Sequence, residues 1–269
     1  SFMSITADSI SYTYGINTPF EKTAIKNVSI EISNGDLWLF VGHTGSGKST
    51  LINTFNGLIL PQKGSVSVDG EVTGNKNTNM KKIRNKVGLI FQYPEAQFFL
   101  PTIYEELMYG PKNFGMSLGK EELKFYMEMF SLPLGYLNKS PFNLSGGETR
   151  KVAIISVLCC NPQYVVFDEP TVGLDYTSRT EVVKAIKRLN TMGKAIVLVT
   201  HWISDFIHLK PKVLVMNDGE VLFKGSFDDF IRLDRPVLEQ AGIRFDQKLE
   251  LYRCALVHNR DIKDKISII

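Results

Sequence analysis

The beginning of the chain alternates apolar and polar positions with a period of two. The apolar members are Ile10, Tyr12 and Tyr14, then Val28, Ile30 and Ile32, then Val66 and Val68. Since successive side chains of a strand point to opposite faces, this pattern predicts antiparallel strands with one face buried and one face in water.

Later apolar runs show little alternation. They span Leu37 to Val41, Val87 to Phe91, Tyr164 to Phe167 and Ala195 to Thr200. Such runs are typical of parallel strands that helices cover on both faces. The main helical patterns between them span Glu121 to Phe130, Gly146 to Cys160 and Arg179 to Asn190. The fold class predicted is therefore α/β, with an additional antiparallel sheet.

The last part of the chain contains a hairpin followed by a helical segment. Asn217-Asp218-Gly219 separates two short apolar runs, as in a β-hairpin. From Ser226 the sequence is helical and more charged, and Ser226 and Asp229 have the spacing of a capping box. We therefore predict a main domain over residues 1–225 and a C-terminal extension over residues 226–269.

A glycine-rich loop follows the apolar run that ends at Val41. The stretch GHTGSGKST fits G-x-x-x-x-G-K-[ST] and consists of Gly42, His43, Thr44, Gly45, Ser46, Gly47, Lys48, Ser49 and Thr50. Its glycines let backbone N–H groups point at one anion, and the next helix adds the positive end of its dipole. This predicts an ATP-type phosphate site in which Lys48 reaches the β- and γ-phosphates and Ser49 ligates Mg²⁺.

Two simpler interpretations of this loop are weaker. An ordinary Gly-Ser turn has no need of Gly-Lys-Ser where a strand becomes a helix. The dinucleotide pattern G-x-G-x-x-G fails because Thr50 stands at its third glycine.

Two adjacent carboxylates end the buried run at Tyr164 to Phe167. In YVVFDEP, Asp168 is placed to complete the Mg²⁺ shell begun by Ser49, and Glu169 is placed to act on the attacking water. Two neighbouring carboxylates repel each other unless a cation lies beside them. With a metal present, one acid can bind it and the other can serve as the base. The alternative is that Asp-Glu-Pro only terminates a strand.

A second glycine-containing helix start lies in NLSGGETRK. Ser145, Gly146 and Gly147 leave backbone donors open at a helix N-terminus, which suits a second anion contact. Ser145 and Glu148 also have capping-box spacing, so the pair can start the helix as well. Kinases and small GTPases with one phosphate loop have no such second anion site.

These motifs, in this order, resemble those of ABC-type ATPases over nearly the whole chain up to about residue 225. The resemblance implies a phosphate-loop (RecA-like) nucleotide-binding domain with an antiparallel β subdomain. It also implies a helical signature subdomain at about residues 93–160 and a small C-terminal α/β extension, which would serve dimerisation.

The resemblance also assigns roles to single residues. It implies that Tyr14 stacks on adenine, with packing in the sheet as the alternative. It implies that Gln92 contacts Mg²⁺ and water and that Asp175 is the D-loop residue. His201 would be the switch histidine on the γ-phosphate, with a strand-end cap as the alternative.

A narrower resemblance rests on FQYPEAQFF, GPKNFG and GHTGSGKST. These stretches are similar to those of energy-coupling factor ATPases, of the A-prime type, which power bacterial uptake of vitamins and metal ions. The implied partners are a second, related ABC ATPase subunit, a membrane coupling subunit and a substrate-binding membrane subunit. The implied location is peripheral, on the cytoplasmic face of the bacterial cell membrane.

The segment from Gln92 to Tyr104 is the candidate contact with the membrane partner. It is rich in aromatic and aliphatic residues although it contains Pro94 and Pro101, which suggests an apolar groove for a partner helix. Core packing is the alternative. Leu100 stands near a position that is commonly acidic in the family, so a polar contact there is not expected.

The signature departs from the family's Leu-Ser-Gly-Gly-Gln because Glu148 replaces the glutamine. An acid in the first turn stabilises its helix but competes with phosphate for the same positive helix end. Our hypothesis is that the site still works, because Ser145 and the backbone donors remain.

Composition limits the remaining alternatives. The chain has 269 residues, 43% of them hydrophobic, and a net charge of +3 without a basic run, so we expect no direct nucleic-acid contact. The longest apolar stretches are too short to span a bilayer, so we expect a soluble protein. A conventional ABC importer ATPase is the nearest alternative. A soluble ABC ATPase acting on nucleic acid or ribosomes, or a phosphate-loop kinase, fits less well.

Overall fold

Two β-sheets and surrounding helices make up the structure, a computed structural model that describes residues 3–257. In chain order the strands are β1 (Ser4–Tyr14), β2 (Lys22–Ser33), β3 (Leu37–Val41), β4 (Lys63–Val68), β5 (Glu71–Val72), β6 (Val87–Ile90), β7 (Tyr164–Asp168), β8 (Ala195–Val199), β9 (Lys212–Asn217) and β10 (Glu220–Gly225). The α-helices are α1 (Lys48–Phe55), α2 (Met80–Lys86), α3 (Ile103–Phe114), α4 (Lys120–Met129), α5 (Gly146–Leu158), α6 (Tyr176–Thr191), α7 (Phe227–Ile231), α8 (Arg235–Gln240) and α9 (Gln247–Val257). Short 3₁₀ helices lie at Pro94–Gln97, Leu134–Asn138, Pro141–Asn143 and Ile203–Leu209.

The alternating segments form a four-stranded antiparallel sheet in the order β2-β1-β4-β5. Ile5 pairs with Ile32 on one side and with Val68 on the other, so their apolar side chains share one face. All three are fully buried. The antiparallel sheet predicted from period-two alternation is therefore present, with its apolar face in the core.

The continuous apolar runs form a six-stranded sheet in the order β10-β9-β3-β8-β7-β6. Its strands are parallel except for β10, which pairs antiparallel with β9 through the Asn217-Asp218-Gly219 turn. Because β3, β8 and β7 are neighbours, the loops after their carboxyl ends meet at one edge of the sheet. Those loops begin at Gly42, Thr200 and Glu169.

The predicted helices are present, although α6 begins earlier than expected. The apolar pattern placed its start at Arg179, whereas the structure places it at Tyr176. Asp175 accepts a hydrogen bond from the Ser178 backbone N–H and so caps the helix three residues sooner. The added first turn is partly exposed and carries no apolar periodicity. Within residues 3–257, no helix combines the length and apolar character needed to cross a membrane.

The C-terminal extension packs onto the same core as the parallel sheet. Ser226 caps α7, and the extension's buried residues join the cluster that contains Phe167 and Ile196. Those buried residues are Phe227, Phe230, Ile231, Leu238, Ala241, Ile243, Leu249 and Tyr252. The family resemblance implied an α/β extension, but residues 226–257 contain helices and no strand, in agreement with the helical pattern that begins at Ser226. The predicted remainder, residues 258–269, lies outside the described part.

We expect Phe230→Ala to destabilise the whole protein, because Phe230 is fully buried and packs on Phe223, Phe227 and Phe245. Removing a buried phenylalanine side chain costs about 3–5 kcal/mol. Calorimetry should show one unfolding transition at lower temperature, whereas Leu251→Ala, on the exposed side of α9, should change little. A separate transition for the extension, with the main one unmoved, would contradict a shared core.

Candidate active site

The loops at the carboxyl edge of the parallel sheet surround a cleft of about 490 Å³. The cleft brings together residues from the phosphate loop, the paired acids, the antiparallel sheet and the loop after β8. Its lining consists of Tyr14, Lys22, Ala24, Thr44, Gly45, Gly47, Lys48, Ser49, Thr50, Gln92, Asp168, Glu169, Val172, Val199 and His201. Most residues predicted for nucleotide and metal therefore lie around one cavity.

The phosphate loop packs closely against β9 and β2, and two of its positions require glycine. Gly42 and Gly47 have φ angles of +146° and +108°. A Cβ at Gly42 would collide with the Met216 carbonyl, and one at Gly47 with the Ala24 carbonyl. The absence of a side chain at Gly42 and Gly47 therefore allows both the tight turn and the close approach of β9 and β2.

Lys48 lies at the base of the loop and is 6% exposed. Its Nζ donates to the carbonyl oxygens of Gly42 at 2.6 Å and His43 at 2.9 Å, and to Ser46 Oγ at 3.1 Å. Burial lowers the pKa of Lys48, while the nearby carboxylates Asp168 and Glu169 oppose that shift. The side chain is thus held by the loop itself, with its ammonium close to the acids.

Ser49 and Asp168 form the candidate metal position. Ser49 Oγ lies 3.4 Å from Asp168 Oδ2 and donates to it. Burial raises the pKa of Asp168, although the hydrogen bond from Ser49 opposes the shift. A hydroxyl and a carboxylate beside a phosphate cradle suit Mg²⁺, which binds few protein ligands and takes the rest from phosphates and water. Gln92, which is exposed, adds an amide at the rim.

Glu169 and His201 face each other across the cleft. His201 Nε2 lies 3.3 Å from Glu169 Oε1, and the His201 backbone N–H lies 3.4 Å from Glu169 Oε2. Burial raises the pKa of Glu169, and burial followed by the charge of Lys48 lowers the pKa of His201. Glu169 is therefore suited to accept a proton, and a neutral His201 is suited to hydrogen bonding.

Tyr14 lines the cleft and is partly exposed. Its hydroxyl is 3.1 Å from Thr50 Oγ1, and its side chain is 41% exposed. The neighbouring Tyr12, rather than Tyr14, packs against the buried cluster of the antiparallel sheet. The Tyr14 ring also packs edge to face on that of Tyr12, with ring centroids 4.9 Å apart, so stacking on adenine stays a prediction.

Lys22 and Val172 also line the cleft, and sequence reasoning missed both. Lys22 pairs with Tyr14 across β1 and β2, so it adds a second cation near the phosphate loop. The only signal was its place opposite Tyr14 in the strand register. That register depends on β-bulges within β1, which the alternation alone did not reveal.

The signature residues lie outside this cleft. Ser145 caps α5, and both its backbone N–H and its hydroxyl donate to Glu148 Oε2 at 2.9 Å. Tyr136 donates to the other Glu148 oxygen at 3.1 Å. These hydrogen bonds, those of Ser145 above all, hold the pKa of Glu148 below its usual value. The carboxylate is therefore charged, and it accepts both hydrogen bonds that Ser145 donates.

Of the two signature glycines, Gly147 packs against the start of α6 beside Asp175. A Cβ added to Gly147 would meet Ser178 Oγ and would lie 3.6 Å from Asp175 Oδ2. Gly146, by contrast, has open space around it. The start of α5 and the start of α6 therefore form one surface, separate from the phosphate loop of the same chain.

A buried ion pair connects the signature helix to the cleft, and sequence reasoning missed it. Arg150, in α5, donates from Nε and Nη2 to the two Glu95 oxygens at 2.7 and 3.0 Å. Its Nη1 donates to the carbonyls of Pro170 and Val172, both at 3.4 Å. Bidentate geometry fixes relative orientation as well as distance. Arg150 thus joins three segments: the one after Gln92, the signature helix and the loop after Glu169.

Comparison with known proteins shows the family to which the chain belongs. The family model described as "ABC transporter" matches residues 25–172. A curated relative from Clostridium perfringens, "Energy-coupling factor transporter ATP-binding protein EcfA2", is 40% identical over 257 residues, covering 93% of this chain and 89% of the relative. The chain belongs to the energy-coupling factor transporter ATP-binding protein family.

Two solved structures resemble the fold of this family member. One is cbiO1 from Clostridium perfringens, "part of the ABC transporter complex cbiONQ", with 26% identity and a TM-score of 0.75; the match covers 94% of this chain and 99% of that chain. The other is the dimeric post-hydrolysis state of the cassette MJ0796 bound to ADP and Pi, with 30% identity and a TM-score of 0.73; that match covers 83% and 98%.

We expect Glu148→Gln to change ATP turnover by no more than a few-fold. The glutamine carbonyl can still accept from Ser145, and the serine hydroxyl and the backbone donors remain for phosphate. Steady-state phosphate release measures the effect. Tyr136→Phe is the matched control, because it removes one hydrogen bond to Glu148 and keeps the charge. A rise of hundreds-fold in Glu148→Gln alone would show that the acid disables the signature.

Proposed function

We propose that the chain is the ATP-hydrolysing subunit of an energy-coupling factor importer that takes up a vitamin or a metal ion through a membrane partner. The observation that carries this proposal is the convergence of Lys48, the Ser49–Asp168 pair and the Glu169–His201 pair on one cleft. Each group has a distinct task in phosphoryl transfer to water. The family assignment supports the transport role.

The residues of the cleft divide the reaction among them. Lys48 and the loop N–H groups hold the β- and γ-phosphates, and Tyr14 stacks on the base. Ser49, Asp168 and Gln92 would hold Mg²⁺, which supplies positive charge against the phosphate oxygens. Glu169 orients a water molecule in line with the γ-phosphorus and accepts its proton, and burial, which raises its pKa, favours that step.

His201 and Lys48 stabilise the charge that develops on the γ-phosphate oxygens. His201 lies next to Glu169, so it can contact the phosphate that the activated water attacks. Fixed donors in a partly buried cleft act more strongly than the same donors in water. Thr50 remains hydrogen-bonded to Tyr14 and connects the phosphate end of the cleft to its base end.

A second ATPase subunit is part of the proposal, because the signature residues do not line the cleft of their own chain. Ser145, Gly146 and Gly147 would contact the γ-phosphate held by a partner, and Asp175 beside them would lie at the interface. The dimeric state of the MJ0796 relative supports this arrangement. A related, non-identical chain is the partner we favour.

ATP closes such a pair because its γ-phosphate gives both chains one anion to bind. A ligand shifts a conformational equilibrium by its difference in affinity for the two states. Here the closed state gains the contacts of Ser145 and the α5 N-terminus, and loss of the γ-phosphate removes them. Arg150 would carry the change to the Gln92 segment, since it bonds Glu95 in that segment.

The membrane coupling subunit would dock in a groove of about 410 Å³ between β6, α3 and α5. Phe91, Phe98 and Phe99 line it, whereas Tyr104 lies outside it, half-exposed in the first turn of α3. Buried Glu106 accepts from the backbone N–H groups of Phe99 and Leu100 at 2.6 and 2.5 Å and fixes the rim. The chain would thus be peripheral, on the cytoplasmic face of the membrane, with the substrate-binding subunit reached through the coupling subunit.

We expect Glu169→Gln to retain ATP affinity and to lower hydrolysis by roughly 10²–10⁴-fold, the usual contribution of a positioned base. The amide keeps the shape of the side chain but cannot accept the proton. Binding of a fluorescent ATP analogue and phosphate release measure the two effects separately. Near-normal turnover would refute the assignment of Glu169 as the base.

Docking in the groove predicts site-specific crosslinks to the membrane partner. In a Cys254→Ser chain assembled with its partners, cysteines at Phe98 and Phe99 should crosslink to the coupling subunit, and Tyr104→Cys tests how far the contact reaches along α3. A cysteine at Phe20, which is 86% exposed in the loop between β1 and β2, is the control and should not crosslink. If no groove position crosslinks in any nucleotide state, docking at the groove is wrong.

A further inference from the structure

The turn after α8 ends the helix with a glycine in the left-handed conformation. Gly242 has a φ angle of +69°, and its N–H donates to the Glu239 carbonyl at 2.9 Å. The Ile243 N–H donates to the Leu238 carbonyl at 2.8 Å. This pair of hydrogen bonds is a Schellman motif, which favours glycine at this position.

The same glycine lies directly against the phosphate loop. A Cβ at Gly242 would lie 2.8 Å from His43 Cβ, 3.5 Å from His43 Cα and 3.7 Å from His43 N. The first distance is shorter than side-chain carbons adopt, so an added methyl group would have to displace the His43 backbone or the turn. Glycine is therefore required here twice, for its φ angle and for the close approach.

His43 belongs to the phosphate loop and is held there by several contacts. Its ring nitrogens lie 2.9 Å from the Thr44 carbonyl and 3.0 Å from Asn217 Oδ1. Its own carbonyl accepts the hydrogen bond from Lys48 Nζ at 2.9 Å. A displacement of His43 would therefore move an acceptor of the lysine that holds the phosphates.

The extension has little freedom to relieve such a displacement. Leu238, Ala241 and Ile243 flank the turn and are buried in the main core. Packed cores shift in discrete steps and transmit strain instead of absorbing it. The turn that contacts His43 is therefore held rigidly by the core.

We propose that Gly242 is a positioning residue for the nucleotide, through which the C-terminal extension sets the geometry of the phosphate loop at His43. The inference deepens the proposed function and rests on it. The extension and the nucleotide would then influence each other, because a contact that changes nucleotide affinity must itself respond to nucleotide binding.

Gly242→Ala tests the contact, and Gly115→Ala is its matched control. Gly115 ends α3 at a φ angle of +71° with the same pair of hydrogen bonds, from Gly115 to Lys112 and from Met116 to Pro111, but nothing lies within 4 Å of an added Cβ. Both variants of the full chain carry the same left-handed backbone strain, so both should lower the melting temperature, and Gly242→Ala should lower it further because its methyl group also collides with His43. Only Gly242→Ala should raise the Kd and KM for Mg-ATP, by about fivefold or more, with kcat changed less.

Rescue at His43 separates the specific contact from general damage. Removing the His43 Cβ in His43→Gly leaves an alanine at position 242 with no carbon closer than 3.5 Å. We therefore expect Gly242→Ala to raise the Kd for Mg-ATP less than twofold when it is added to His43→Gly. Equal Kd values for Gly242→Ala and the parent would overturn the proposal. So would a full loss of affinity that persists in the His43→Gly chain.

Hydrogen exchange on the unmodified chain tests the proposal without any variant. Mg-ATP should slow exchange of the Gly242 and Ile243 amides and leave those of Gly115 and Met116 unchanged. Protection of the phosphate loop with no change at residues 242–243 would overturn the inference and leave the proposed function standing. No protection of the phosphate loop and no Mg-ATP binding by the parent would overturn both.

Discussion

The cleft is organised around the buried ammonium group of Lys48. Lys48 is almost removed from water, and the carbonyls of Gly42 and His43 hold it in place. Burial lowers its pKa, and the neighbouring acids Asp168 and Glu169 offset that shift. A cation in such a place constrains its surroundings, because the loop must wrap it closely and the anions must remain near. The phosphates of a nucleotide would complete this balance.

The second organising feature is a set of charged hydrogen bonds that link segments far apart in the chain. Arg150 bonds Glu95 with two parallel hydrogen bonds and reaches the carbonyls after Glu169. Glu106 holds the backbone of residues 99–100 at the rim of the groove. Charged hydrogen bonds of this kind are strong and directional when buried. The groove and the signature helix are therefore connected to the catalytic loop by defined contacts.

The third feature is the separation of the two helix starts that suit an anion. The N-terminus of α1 lies in the cleft, whereas that of α5 lies beside Asp175. Glu148 accepts both donors of Ser145, so in the proposed dimer the γ-phosphate held by the partner would have to displace this carboxylate from the serine. A γ-phosphate carries more charge than one carboxylate and can also accept from the open backbone donors. Replacement is therefore chemically reasonable.

The sequence alone predicts the period of each strand, the phosphate loop, the paired acids and the capped helix starts, since each depends on residues close together in the chain. It could not place Lys22 in the cleft, pair Arg150 with Glu95 or bring Gly242 against His43. The family resemblance implied an α/β extension, whereas residues 226–257 are helical, as the pattern from Ser226 predicts. The contacts of Lys22, Arg150 and Gly242 are visible only in the folded chain, because strand register and core packing bring together residues that are far apart in sequence.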